Sequence, residues 1–410
     1  MPVLPTPAES ASSLSPEFPR LAAPGTGRTA VRLTSAPGFS YPLYYFVPSL
    51  TGDGRYLVFH RAKDGEVQLH RLDLATGEEL QLTAGTAPDA WWRPWCSDPG
   101  SGILDFRSAL SPVGGEVVYF DGGSVRAADV ITGRSRDLFE LPADRLAIGQ
   151  NCVTPDGQWF VYIHADRAAY EGLFADDPPY QEYWRRRERV RDTRLAAFNL
   201  QTGEHRTILV IASPIHHVLP YDDRRLLFCH PTAEPGMLLT DIDGGWYSHL
   251  RTQDESGGMI CHFVATARGA AYEVLWGRDG LRAGMCNPDT RRWYEVPLPA
   301  DFGYIHTGLD PDGLLWFYEN HTPEIHDLRF LVRHDPVQGD EWRALTGDWP
   351  TYGDPDAQKA HFHPQVVLDR KWLLLTGGDP ATQTNQVFLL DISDLAPTAG
   401  IPDLGATVSP

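Results

Sequence analysis

Two short patterns of apolar and polar residues recur along the chain. In the first, an apolar strand ends in Asp or Asn and a polar turn, as at Asp73 to Gly77, Asp129 to Gly133, Asn199 to Gly203, Asp241 to Gly244, Asn287 to Thr290, Asp335 to Gly339 and Asp391 to Ser393. In the second, a turn leads into an apolar or aromatic strand, as at Gly52 to Phe59, Gly114 to Phe120, Asp156 to Tyr162, Asp222 to Phe228, Arg268 to Glu273, Asp312 to Phe317 and Asp369 to Leu375. Each pattern occurs seven times, and the two interleave. Successive copies stand roughly 40 to 70 residues apart, which suits propeller blades of several short strands with insertions in the longer gaps. The pattern predicts an all-β fold, a seven-bladed β-propeller.

Residues 1–27, rich in Pro, Ser and Ala, read as a disordered tail, residues 28–395 as the propeller, and residues 396–410 as a C-terminal tail. No outer strand for the last blade is evident after Ser393. The segment Thr29 to Thr34 instead resembles Glu78 to Thr83, the outer strand of the first blade. The N-terminal strand is therefore predicted to pair with Gln386 to Leu390 and close the ring. The widest gap holds a predicted helical insertion, residues 170–191, with a helix over Tyr180 to Val190. Acidic residues lead it and arginines fill its later turns, the order the helix dipole favours. Arg185, Arg186, Arg187, Arg189 and Arg191 read as a solvated face with Trp184 packed inward, a polyanion site being the alternative.

Net charge changes the picture of partners. At -19, with a pI near 5.1, the chain disfavours nucleic acid, and an acidic substrate must be held by local cations or a metal. The first ten residues lack the basic start and apolar core of a secretory signal, and no apolar run is long enough to span a bilayer. A soluble, cytoplasmic protein without a membrane partner is expected. Its five cysteines, Cys96, Cys152, Cys229, Cys261 and Cys286, are scattered and form no C-x-x-C pair, which fits reduced core thiols rather than disulfides or a thiolate zinc site. G-x-S-x-G, P-loop and dinucleotide fingerprints are absent from the sequence.

Candidate chemistry gathers in the last three blades. In Gln358-Lys359-Ala360-His361-Phe362-His363-Pro364, two histidines at i and i+2 lead into the apolar Val366-Val367-Leu368, and on a strand they would project to one side. The Gln358 amide adds a neutral oxygen, and such a set suits a borderline divalent ion. His306 and His262 hold the same position before the sixth and fifth turn patterns. Inner propeller strands converge on the channel, so the aligned histidines point to a metal site. Trp91-Trp92-Arg93-Pro94-Trp95 and the stretch from Tyr41 to Phe46, with Tyr44 and Tyr45, are placed either to stack and hold a sugar acid or to pack between blades.

These residues resemble the oligogalacturonate lyase family, polysaccharide lyase family 22, over about Thr29 to Ser393. The most specific part is Gln358-x-x-His361-x-His363-Pro364, which is similar to the family's Q-x-x-H-x-H-P motif, with His306 matching the remaining histidine. The resemblance implies manganese held by His306, Gln358, His361 and His363, with His262 as the Brønsted base. Phe228-Cys229-His230 and the Trp184 insertion also resemble family features, and Arg93, Tyr44 and His230 are the expected substrate contacts. Two positions depart from the family: its substrate-side arginine aligns with Gly236, and a basic pair aligns with Tyr41-Pro42. They leave open a different uronide.

The implied activity is β-elimination on uronate oligosaccharides, as in pectin degradation. Three imidazoles and an amide are neutral, so a bound divalent ion would keep its charge for a uronate carboxylate. His262 would take the C5 proton. The competing readings are a non-catalytic binding propeller of the TolB type, which shares the Asp-Gly turns but has no need of the aligned histidines, and a lyase for another uronic-acid glycan such as ulvan.

Overall fold

The computed structural model describes residues 14–35, 37–89, 100–173, 176, 182, 186–229, 236–277, 279–303, 306–322, 324–354 and 357–405. They form seven β-sheets in the order the repeats predict. The innermost strands of blades one to seven are Phe39–Pro42, Ala109–Leu110, Arg145–Val153, Val218–Pro220, Met259–Thr266, Thr307–Leu309 and Gln365–Val367. From each, antiparallel strands follow outward. Apolar side chains fill the space between neighbouring sheets, as where Phe120 meets Phe160 and Tyr162, or Tyr294 meets Trp316.

The recurring Asp or Asn has a local cause. Asp73 Oδ1 accepts from the backbone N–H of Ala75 at 2.9 Å, and Asp129 and Asn199 do the same for the residues that follow them. The turn closes when the fifth residue donates to the first carbonyl, as Gly77 does to Asp73 at 2.8 Å. That fifth residue is left-handed, which glycine adopts without strain; in blade five Arg291 takes it, with φ 60°.

The ring closes as predicted. Thr29–Arg32 pairs with the last strand of blade seven in the register Ala30 to Leu390, Val31 to Leu389 and Arg32 to Phe388. Thr34 Oγ1 donates to Gln386 Oε1 at 2.7 Å, and Arg28 pairs with Asp394 at 2.5 Å.

Both expected tails need correction. Arg20–Ala22 forms a fifth strand on Thr29–Arg32, and Phe18 and Ala23 are buried, because the outer face of the closing strand offers an unpaired edge. At the other end Ala399 donates to the Val332 carbonyl and Leu404 is buried against blades five and six, so ordered chain runs past residue 395.

The insertion also differs from expectation. It begins at a short helix, Arg167–Glu171, capped by Asp166, whose side chain accepts from Ala169 N. Glu182 and Arg186 are helical, within the helix expected over Tyr180 to Val190, and the last turn is a 3-10 turn at Arg187–Arg189. The arginines are a solvated face only in part: Arg189 and Arg191 are exposed, whereas Arg186 pairs with Asp176 and Glu182, and Arg187 is fully buried. Trp184 lies outside the described residues, as does the aromatic run Trp91 to Trp95. Among the described residues no helix is long and apolar enough to cross a membrane.

Deleting residues 1–27 removes the added strand with the buried Phe18 and Ala23 beside it, whereas deleting residues 1–35 also opens the ring. Thermal melting is expected to show a modest loss for the first truncation and a loss several times larger for the second. Equal melting temperatures would remove the closing role of Thr29–Arg32.

Candidate metal centre and active site

At one level of the channel the inner strands are interrupted, and the interruptions carry the candidate residues. His262 and Phe263 form a bulge between the pairs Cys261 to Glu273 and Val264 to Ala271, with His262 at φ 51°. His306 stands just before the inner strand of blade six. His361 and His363 do not lie on a strand. They occupy the extended link between a 3-10 turn, Gln358–Ala360, and the inner strand of blade seven, with His363 at φ 49°. The expected common side is still reached: their rings stack at 6.0 Å, while Phe362 between them turns to His326, ring on ring at 3.7 Å.

Blade one contributes a larger interruption. Its inner strand pairs at Phe39–Pro42 and again at Leu50, and residues 43–48 loop out between. Gln365 holds the loop by donating to the carbonyls of Leu43 and Tyr44 and accepting from Ser49 N. Tyr44, Tyr45 and Phe46 thereby enter the channel.

The rings then close on one another. Centroid distances run His262 to His306 4.6 Å, His306 to His363 4.6 Å, His363 to Tyr44 5.0 Å, Tyr44 to His217 5.5 Å and His217 to His262 5.8 Å. All five side chains are buried. Tyr45 packs against His306 at 5.2 Å and, with Phe46, also lines a separate pocket of about 480 Å³ at the opposite mouth.

Two buried glutamates support this ring from behind. Glu273 Oε2 lies 2.5 Å from His262 Nδ1, and its Oε1 accepts from Thr307 Oγ1 at 2.5 Å. One blade on, Glu319 Oε2 lies 3.0 Å from His306 Nδ1. Its Oε1 reaches His326 Nε2 at 2.8 Å and His361 Nδ1 at 3.4 Å, and accepts from Phe362 N at 2.8 Å. Burial alone would raise Glu319, but His361, His306 and His326 hold the carboxyl well below its usual range. Glu273 has less help: burial pushes it up, with His262 and Thr307 pulling the other way. Burial also pushes His306, His363 and His217 well below the ordinary histidine value, so their rings stay neutral.

The sequence model of the oligogalacturonate lyase family matches residues 12–275. The chain belongs to that family. The oligogalacturonate lyase of Dickeya dadantii is 27% identical over 87% of this chain and 92% of its own length. The oligogalacturonide lyase of Pectobacterium atrosepticum is 26% identical over the same shares. An oligogalacturonate lyase solved in complex with manganese superposes with a TM-score of 0.73 at 22% identity, over 92% of this chain and 96% of that one.

The residues expected to hold a metal lie close together, and their chemistry fits an ion. His306, His361 and Glu319 each place one donor atom within 4.8 Å of the others, and Gln358 Oε1 lies 2.7 Å from His363 Nε2. His363 Nδ1 is fully buried with no partner among the described residues. With Nδ1 of His306 turned to Glu319 at 3.0 Å, its Nε2 is the atom left to ligate, and the carboxylate sets that tautomer. Imidazole and amide donors suit a borderline divalent cation.

Other expected contacts fare differently. Tyr44 is in the ring, whereas Arg93 and His230 lie outside the described residues. At Gly236 a Cβ would meet the Arg251 carbonyl oxygen at 2.4 Å, so an arginine cannot be restored there without moving the adjoining strand. Tyr41 donates to Asp105 Oδ1 at 3.0 Å, so that position carries no cation.

Sequence reasoning missed His217, Glu273, Glu319 and Arg187. His217 was within reach, since it precedes the inner strand of blade four as His306 does that of blade six. The glutamates share a signal too, each following a buried tyrosine at the same blade position, Tyr272-Glu273 and Tyr318-Glu319. Arg187 had none. Its positive charge helps to lower both His216 and His217, after burial, so the insertion brings a buried cation near the ring.

Glu319→Gln keeps shape but removes the charge behind His306 and His361. Calorimetric titration with manganese is expected to show affinity weakened by about 10- to 100-fold, with the metal-free melting temperature little changed. An unaltered affinity would deny Glu319 its supporting role.

Proposed function

We propose that the protein is a manganese-dependent lyase that cleaves uronate oligosaccharides, oligogalacturonate first among them, by β-elimination. What carries the reading is one juxtaposition: a glutamate-held histidine, His262, beside the quartet His306, Gln358, His361 and His363. The family and the manganese complex of a relative support it. A divalent ion in the quartet would supply the positive charge that takes the uronate carboxylate and favours loss of the C5 proton.

The chain's own residues do the rest. Glu273 accepts at His262 Nδ1, so Nε2 is the nitrogen that receives the C5 proton. As His262 becomes an imidazolium, its charge is met at once by a carboxyl that burial otherwise leaves poorly compensated. That pairing stabilises the state formed during proton transfer more than the resting state, which is where catalytic gain arises. The electron pair of the C5–H bond becomes the C4–C5 double bond, and the oxygen at C4 departs. Tyr44, at the edge of the ring, is placed to contact the sugar. We assign the reaction to the reducing cytoplasm, on the ground that Cys152, Cys229, Cys261 and Cys286 are free and buried.

The departures at Gly236 and Tyr41 favour testing other uronides alongside oligogalacturonate. The manganese-loaded protein is expected to generate the ultraviolet absorbance of an unsaturated uronide with at least one member of a uronide panel. No absorbance with any member would favour the non-catalytic binding propeller.

For the base, Asn is a better replacement than Ala, because it tolerates the left-handed backbone of His262. His262→Asn is expected to lower kcat by about 10²–10⁴-fold while manganese affinity holds. His306→Ala should lose manganese and substrate binding together. Near-native turnover in His262→Asn would exclude His262 as the base.

A further inference from the structure

An elimination needs two proton movements, and the proposed function accounts for one. A sugar alkoxide is a poor leaving group, so a second group has to deliver a proton to the oxygen departing from C4. We propose that Tyr44 is that donor, poised by His217 and Cys229. The inference rests on the lyase reading above and adds a catalytic residue to it.

The position comes first. Tyr44 is a member of the closed ring that holds His262, His306 and His363, with His217 between it and His262 on one path and His363 and His306 between them on the other. It enters on the blade-one loop that Gln365 holds from blade seven, so its placement is a property of two blades. Its neighbour Tyr45 also packs on His306, at 5.2 Å, and lines the far pocket, but the hydrogen bond to His217 belongs to Tyr44.

The hydrogen bonds behind Tyr44 set the direction of its proton. Tyr44 Oη lies 3.1 Å from His217 Nε2, and Cys229 Sγ lies 3.5 Å from His217 Nδ1. Burial pushes the Cys229 thiol up, so it keeps its proton and can donate S–H to Nδ1. Burial also keeps His217 neutral, with a single N–H. That N–H is then on Nε2 and donates to Tyr44 Oη, leaving the phenol's own proton for an acceptor other than His217. The same N–H stabilises the phenolate once the proton has gone.

The step balances. His262 gains the C5 proton, and the C5–H electron pair forms the double bond. The C4–O pair leaves with the oxygen, which takes the proton of Tyr44. Transfer of a proton from His262 back to Tyr44 through solvent restores the enzyme, with no net proton gained or lost.

The test varies the leaving group. The manganese-loaded protein and Tyr44→Phe are each given oligogalacturonate and a galacturonide bearing 4-nitrophenol at C4, whose phenolate leaves without protonation. Tyr44→Phe is expected to lose about 10²-fold or more in kcat/KM on the oligomer and less than about threefold on the nitrophenyl substrate, with manganese affinity unchanged. Cys229→Ala, which removes the donor behind His217, is expected to show the same dependence on leaving group in weaker form. Equal losses on both substrates, or none on the oligomer, would overturn the assignment and leave the lyase reading standing. A parent protein that cleaves neither substrate would overturn both.

Discussion

A ring of sheets has to bring seven inner strands to one axis, and that convergence is the constraint on which everything at the channel depends. It is secured by a few residues far from the site: Ala30, Val31 and Arg32 complete blade seven and tie the start of the chain to its last blade. Closure sets the spacing of the inner strands and therefore of whatever stands at their starts. His217, His262, His306 and His361 come from blades four to seven, and none is near another in sequence except His361 and His363.

Convergence alone brings histidines close without orienting them. Orientation comes from Glu273 and Glu319, which stand one blade apart and hold Nδ1 of His262 and His306 in the same way. In the proposed mechanism one device serves two ends, leaving the first histidine to accept a proton and the second to bind a cation. A carboxylate taken fully out of water is costly unless its oxygens are engaged. Glu319 answers that cost with three imidazoles and a backbone N–H.

Much of this was legible in the chain. The Asp and Asn turns marked every blade because they close by local hydrogen bonds, which travel with the sequence. The partner of the last blade was legible because Thr29 to Thr34 copies an outer strand. The i, i+2 histidines were read correctly as sharing a side but wrongly as lying on a strand. His363 is left-handed, and such a kink depends on how Phe362 seats against His326, a contact between separate segments. The glutamates escaped notice because an isolated Glu in a strand ordinarily faces water; only their repeated place after Tyr272 and Tyr318 hinted otherwise. Arg187 was hidden more deeply, since nothing in a run of arginines tells which one the fold will bury.

The loop carrying Tyr44, Tyr45 and Phe46 has a consequence for how sugar chains are handled. Tyr45 and Phe46 stand against His306 and His217 on one side and line the far pocket on the other. For the proposed lyase, a passage filled at that level would make substrate and product share one mouth, which suits short fragments better than a long polymer threaded through.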